Sequence, residues 1–209
     1  MFQVEYAKEA VKRGVTCLGI VFKDGVLLAT VRHSSDLMVA MSTEKIFQID
    51  DHAAAVAAGL LADARILSTL ARVRAQIYRI TYNEPMDIAA ITRIIGDKMQ
   101  ISTLYAGLRP YGVSFLVGGV DSTGPHLLET DPSGMIYEWV AGTIGRGSGV
   151  VSKLFKQKWK ENMSEKEAIQ LAIEALEKAE KEKGILEIAI VKKGENFRKI
   201  SDEEIKKLM

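Results

Sequence analysis

The chain of 209 residues has one cysteine, four prolines and a net charge close to zero. A single cysteine, Cys17, excludes an intrachain disulfide and leaves the redox compartment open. Cys17 sits inside the apolar run Thr16-Cys17-Leu18-Gly19-Ile20-Val21-Phe22, where it reads as a small buried hydrophobe rather than a nucleophile. No apolar stretch approaches the ~20 residues that a membrane-spanning helix requires. Glu5 and Glu9 interrupt the N-terminus and no hydrophobic segment follows Lys8, so a signal peptide is not expected. A cytoplasmic protein without a membrane partner is the expectation. A net charge of +1 offers no electrostatic footprint for nucleic acid. The lysines at 153, 156, 158 and 160 are spaced as the wet face of a helix.

Signatures of metal and cofactor chemistry are equally scarce. The three histidines, His33, His52 and His126, are far apart and match neither zinc-ligand nor catalytic-triad spacing. Gly145-Arg146-Gly147-Ser148-Gly149 lacks the Gly-Lys-Ser/Thr ending of a phosphate-binding loop and reads as a tight strand-to-helix connection. No cofactor and no metal are expected. Asp63 and Arg65 are open to two readings, a functional pair or helix-end charges at a subunit contact.

What is present is patterned. Val4, Ala7 and Val11 mark an amphipathic helix over Gln3–Arg13 that Gly14 stops. Thr16–Phe22 and Val26–Val31 flank Lys23-Asp24-Gly25 as a hairpin, and Lys45–Ile49 and Ala53–Gly59 flank Asp50-Asp51 as a second. A long helix follows, with Ile66, Leu70, Val73, Ile77 and Ile80 as one apolar stripe, which predicts that this face is the buried one. Ile88, Ile91, Ile95 and Met99 repeat the pattern in a second helix, with Pro85 at its start. Strands are predicted over Val113–Val120, His126–Thr130 and Met135–Ala141, and helices over Gly149–Asn162 and Glu165–Lys183. Ser164 with Glu167 makes a capping box, and Glu174–Lys178 and Glu177–Lys181 are candidate i,i+4 pairs. Leu186–Val191 and Phe197–Ile200 close the pattern as strands, before a short helix capped by Ser201 and Glu204. Blocks of strands separated by helix pairs predict two stacked sheets between helix layers, in one domain over 1–209.

Four segments stand out: Phe2-Gln3-Val4-Glu5-Tyr6-Ala7, Ser42-Thr43-Glu44-Lys45-Ile46, Ala58-Gly59-Leu60-Leu61-Ala62-Asp63-Ala64-Arg65 and Arg109-Pro110-Tyr111-Gly112-Val113-Ser114. Together with Asp131-Pro132-Ser133-Gly134 and Ile144-Gly145-Arg146-Gly147 they resemble the α-type subunits of the 20S proteasome, of the archaeal kind, within the threonine-peptidase family. The likeness covers essentially the whole chain. It implies an α+β fold, a four-layer αββα sandwich of two antiparallel sheets like that of Ntn hydrolases. It also implies a non-catalytic subunit of a threonine-type endopeptidase complex. Such a subunit forms a homoheptameric outer ring, scaffolds the β-type subunits, frames the pore for unfolded polypeptide and docks ATPase activators. Members of this family carry a further segment before the position of Phe2 that closes the pore, so the resemblance implies a ring without its usual gate tails.

The site residues also follow from the resemblance. Lys45, Gly59 and Glu5 line the pocket that takes the C-terminal tail of an activator, with Lys45 on the tail carboxylate. Tyr111, Gly112, Val113 and Ser114 form the pore rim, with Tyr6 in the gate cluster. In catalytic relatives a terminal threonine attacks, tuned by a lysine and an acid. Here the nucleophile's position falls at Val15, the acid's at Val31 and a nearby serine's at Arg146, leaving Lys45 alone. Two other readings remain: a free-standing adaptor ring without a protease, and an amidohydrolase of the same fold that exposes Thr16 or Cys17 by processing.

Overall fold

The structure, a computed structural model, describes residues 2–33, 37, 44–105, 107–181 and 184–208. Cys17–Phe22 (β1) and Gly25–Arg32 (β2) pair antiparallel across Lys23-Asp24. They join Ala141–Ile144 (β8), Ile185–Lys192 (β9) and Arg198–Lys199 (β10) in a sheet ordered β10-β9-β2-β1-β8. Ile46–Asp50 (β3), Ala53–Gly59 (β4), Val113–Asp121 (β5), Gly124–Thr130 (β6) and Ile136–Glu138 (β7) form the second sheet in sequence order. Six helices complete the described chain: Phe2–Arg13 (α1), Leu61–Tyr82 (α2), Ile88–Ser102 (α3), Ser148–Lys158 (α4), Glu165–Ala179 (α5) and Asp202–Leu208 (α6).

Strand alternation sorts the core into three apolar layers. Val26, Leu28, Ala54, Val56, Leu116 and Leu127 meet between the two sheets. On the outer face of the first sheet, Leu18, Ile20, Leu27 and Ala29 pack against Val151, Ala172 and Leu176 of α4 and α5. On the outer face of the second, Ala53, Ala55 and Ala57 pack against Leu67 and Ala71 of α2 and Ile91 and Ile95 of α3. The order helix layer, sheet, sheet, helix layer is the αββα sandwich expected.

Several sequence expectations change in detail. The stripe Ile66, Val73, Ile77 and Ile80 lies on the outer side of α2, from half to 83% exposed. The sheet instead takes Ala64, Leu67, Ser68, Ala71 and Ala75, small side chains that let the helix sit close. Met135–Ala141, predicted as one strand, is split: β7 ends the second sheet and β8 ends the first, with the chain crossing between them at Trp139 and Val140. Pro85 lies three residues before α3, whose first N–H, on Ile88, donates to Asp121 Oδ2 at 3.1 Å. α4 stops at Lys158 rather than Asn162, which takes a left-handed φ of 59°. α5 ends at Ala179, and the predicted end at Lys183 lies outside the described residues. The Ser164–Glu167 capping box forms in full, and Lys178 pairs with Glu174 at 2.8 Å. Lys181 lies beyond the end of that helix, so its spacing from Glu177 is no longer helical.

Candidate functional site

At one end of the sandwich three glycines bring α1, β4 and β5 together. Gly59 has a φ of +114°, and a Cβ there would stand 2.2 Å from the carbonyl oxygen of Gly112. A side chain at Gly14 would meet the Gly59 nitrogen at 2.5 Å. The requirement for glycine at position 59 therefore comes from its own chain. Lys45 stands beside this junction. Its carbonyl accepts from the N–H of Ala57, two residues before Gly59. Its Nζ donates to the Val31 carbonyl at 3.2 Å and its N–H to Glu187 Oε2 at 3.3 Å. Burial holds the Lys45 ammonium below the ordinary lysine value, against the pull of Glu180 and Glu187. Ser42 and Thr43 of the same motif lie outside the described residues.

The remaining predicted residues separate by exposure. Glu5 and Tyr6 are exposed on the N-terminal half of α1. Glu5 lies roughly 12 Å along the helix axis from Arg13 at the other end. Tyr111 is half-buried, whereas Gly112, Val113 and Ser114 are buried. The helix is tied down by Lys8, which pairs with Asp131 at 3.5 Å. Asp131 in turn orders the Asp131–Gly134 turn by accepting from the N–H groups of Ser133 and Met135.

Beside Lys45 lies a buried polar network that sequence reasoning missed. Glu180, at the C-cap of α5, accepts from the Thr16 N–H at 2.8 Å and the Thr16 hydroxyl at 2.5 Å. Arg146 clamps the same carboxylate through Nε and Nη2. The Thr16 hydroxyl also accepts from the Gly147 N–H at 3.0 Å, and Thr30 donates to the Thr16 carbonyl at 3.0 Å. Burial acts to raise the Glu180 carboxyl, but the Arg146 and Thr16 bonds outweigh it and hold it below the usual carboxylate range. Cys17 next door is fully buried, and its thiol is pushed up to about 12, so it stays protonated at neutral pH. The sequence signal for Glu180 was weak: one glutamate in a run of Glu and Lys at a helix end.

Asp63 is placed by the first turn of α2 and is buried. Its two oxygens accept from Arg109 Nη1 and Nη2 at 2.7 and 2.6 Å, and one accepts from the Gly112 N–H at 2.9 Å. Asp63 is therefore partnered with Arg109, while Arg65 points outward on the same helix. A shallow cavity of ≈ 400 Å³ opens above the pair, lined by Ile66, Lys98, Ile101, Leu108 and Tyr111. Among the described residues no group of three or more His, Cys, Asp or Glu side chains could hold a metal ion. No helix of the described residues is long and apolar enough to cross a membrane.

Comparison with known proteins agrees with this architecture. The family model described as "Proteasome subunit" matches residues 11–191. The "Proteasome subunit alpha" of Thermococcus sibiricus is 46% identical over 213 aligned positions, covering 100% of this chain and 82% of that protein. Its counterpart in Methanocaldococcus jannaschii is 47% identical with the same coverage. That of Methanosarcina thermophila is 48% identical over 98% of this chain and 85% of its own length. A match over nearly the whole sandwich, at this identity, makes the chain a member of the proteasome subunit family.

Proposed function

We propose that this chain is a non-catalytic α-type subunit of a 20S proteasome, one of the copies that close into the outer ring on a ring of β-type subunits. One observation supports this reading: the hydroxyl next to the position that the resemblance gives the nucleophile is bonded into the fold. Val15, at the nucleophile's position, has no hydroxyl and lies within the chain. The adjacent Thr16 is a peptide-bonded residue whose N–H and hydroxyl are both spent on Glu180. Lys45, the remaining member of the constellation, directs one of its N–H donors to the carbonyl of Val31. Acyl transfer needs a free nucleophile beside a base, and neither Val15 nor the bonded Thr16 hydroxyl offers one. The same bonds weigh against an amidohydrolase built on Thr16 or Cys17.

Two exposed apolar surfaces supply the contacts an assembly requires. Phe2 and Tyr6 project from α1, which suits the head-to-tail contact between neighbours in a closed ring. The outer stripe of α2, from Ile66 to Ile80, suits docking on the β-type ring. Lys45 and Gly59, at one end of the β3–β4 ladder, are the pocket we assign to an activator tail, with Glu5 on its α1 side. Tyr6 and Tyr111 are the side chains we assign to the gate and pore rim, with Gly112, Val113 and Ser114 setting the rim's backbone. Unfolded polypeptide is the substrate that passes through.

The test is reconstitution. The purified chain alone should form rings by native mass spectrometry and cleave no fluorogenic peptide. Mixed with an archaeal β-type subunit it should give a larger particle with peptidase activity. A persistent monomer at micromolar concentration, or peptide cleavage by the chain alone, overturns the reading.

A further inference from the structure

Helix α2 is one-sided in charge as well as in hydropathy. From Ala64 to Tyr82 it carries four arginines and neither aspartate nor glutamate, in a chain whose net charge is +1. Two of the four are spent on β3 and the turn after it. Arg72 donates through Nε and Nη2 to the Gln48 carbonyl at 3.0 and 2.8 Å, and Arg79 pairs with Asp50 at 2.9 Å and Asp51 at 3.4 Å. Arg65 and Arg74 are exposed, and among the described residues their guanidinium groups have neither a hydrogen bond nor an ion pair. Arg65 precedes Ile66 and Arg74 follows Val73, so a helical step of about 100° sets them on opposite flanks of the exposed stripe Ile66, Val73, Ile77 and Ile80. The stripe runs about 21 Å along the helix axis. At its N-terminal end it meets the cavity of ≈ 400 Å³, because Ile66 lines both. The cavity has apolar walls in Ile66, Ile101 and Leu108, and Asp63 and Arg109 within it neutralise each other. Lys98 at the same cavity is exposed and, among the described residues, unpaired.

We propose that the stripe and the cavity form one continuous docking surface for an acidic, amphipathic segment of the β-type subunit. That segment seats a bulky apolar side chain in the cavity and sets carboxylates against Arg65, Arg74 and Lys98. The proposal rests on the reading above that a β-type subunit covers the stripe, and it adds the chemistry that selects the partner. Covering the stripe strips water from its flanks, and a cation that loses water needs a counter-ion in its place. This chain supplies none to those three groups, so the partner must. A carboxylate answers the planar fork of a guanidinium with two parallel bonds. A nucleic acid would neutralise the arginines through its phosphates and leave the isoleucines uncovered, which decides for a protein. An apolar centre with an anchoring pocket and a polar rim is also how protein interfaces are built. Charges on the rim act mainly on encounter: they speed association with an acidic face and turn away a basic one.

The test mixes the full chain with an archaeal β-type subunit and follows association and dissociation at salt from about 50 to 500 mM. The association rate of the parent should fall about tenfold across that range. Arg65→Gln with Arg74→Gln and Lys98→Gln should slow association about tenfold at the low-salt end and flatten the salt dependence. Ile101→Trp, which fills the cavity, should keep the salt dependence and speed dissociation about tenfold. Leu108→Trp fills the cavity from its loop side and replaces Ile101→Trp if that variant does not fold. Parent-like salt dependence in the triple variant, or parent-like dissociation from a filled cavity, overturns the proposal. Val73→Glu with Ile77→Glu separates it from the reading beneath it. If that pair still associates normally, the β-type subunit does not cover the stripe. If that pair blocks association while the charge and cavity variants behave as the parent, only the present proposal falls. A second copy of this chain, or a DNA duplex, that holds the surface against the β-type subunit also overturns it.

Discussion

The ammonium of Lys45 donates to the carbonyl oxygen of Val31 at 3.2 Å. On the proposed reading, the positions assigned to the catalytic lysine and acid of the family's peptidases are thus joined through a main-chain atom. An ammonium has three donors, so this bond leaves room for an incoming carboxylate. Replacing Lys45 by Ala should leave ring assembly intact in native mass spectrometry. It should weaken binding of a peptide carrying an ATPase activator's C-terminal tail by at least tenfold, read by fluorescence anisotropy. If the variant binds within about twofold of the parent, a difference of only ~0.4 kcal/mol, Lys45 is not the anchor.

Arg109 is the partner that makes the buried Asp63 carboxylate tolerable. Burial pushes the Asp63 value up, but the bonds from Arg109 and the Gly112 N–H prevail and hold it below the usual carboxylate range. Arg109→Ala leaves that charge without its counter-ion. The expected cost is about 2 kcal/mol at neutral pH, below the range for fully buried pairs because Arg109 is largely exposed. The sign with pH follows from the depressed value. The stabilisation is fully present above the unfolded carboxylate value, ~3.9, and is lost as pH falls through the lower folded one. Urea melts of parent and variant should therefore converge in acid. A gap that stays constant to the lowest pH at which both fold would rule this account out.

On the proposed reading, the α2 stripe should matter for assembly and little for the stability of the isolated chain. Val73 and Ile77 are both about half exposed, so Val73→Glu with Ile77→Glu should change the isolated chain's stability by no more than about 0.5 kcal/mol per site. The same double variant should fail to form the larger particle with β-type subunits, because two carboxylates would be buried at the contact. Retention of full assembly by a normally folded double variant would move the docking surface elsewhere.

The sequence by itself determined the element order, because turn chemistry and capping act over a few residues. The Ser164–Glu167 box and the Ser201–Glu204 cap stand in the structure as read, and the first hairpin forms with its turn shortened to Lys23-Asp24 because Gly25 pairs in β2. Family motifs carried the identity, since they are read along the chain without reference to packing. The tertiary structure decided which face of each element is buried, and there periodicity misled on α2. An apolar stripe at helical spacing marks a surface that must be covered, without saying whether its cover lies in the same chain. The sheet took the alanine face because small side chains allow close approach, leaving the isoleucines outward. Strands Ile136–Glu138 and Ala141–Ile144 likewise belong to different sheets because the chain crosses the sandwich between them, a step with no local code. The Thr16–Glu180–Arg146 network joins residues up to 164 positions apart, and no local pattern could bring them together. Burial did so: a carboxylate enclosed beside the sheet end must find donors, and the fold supplies them from Thr16 and Arg146.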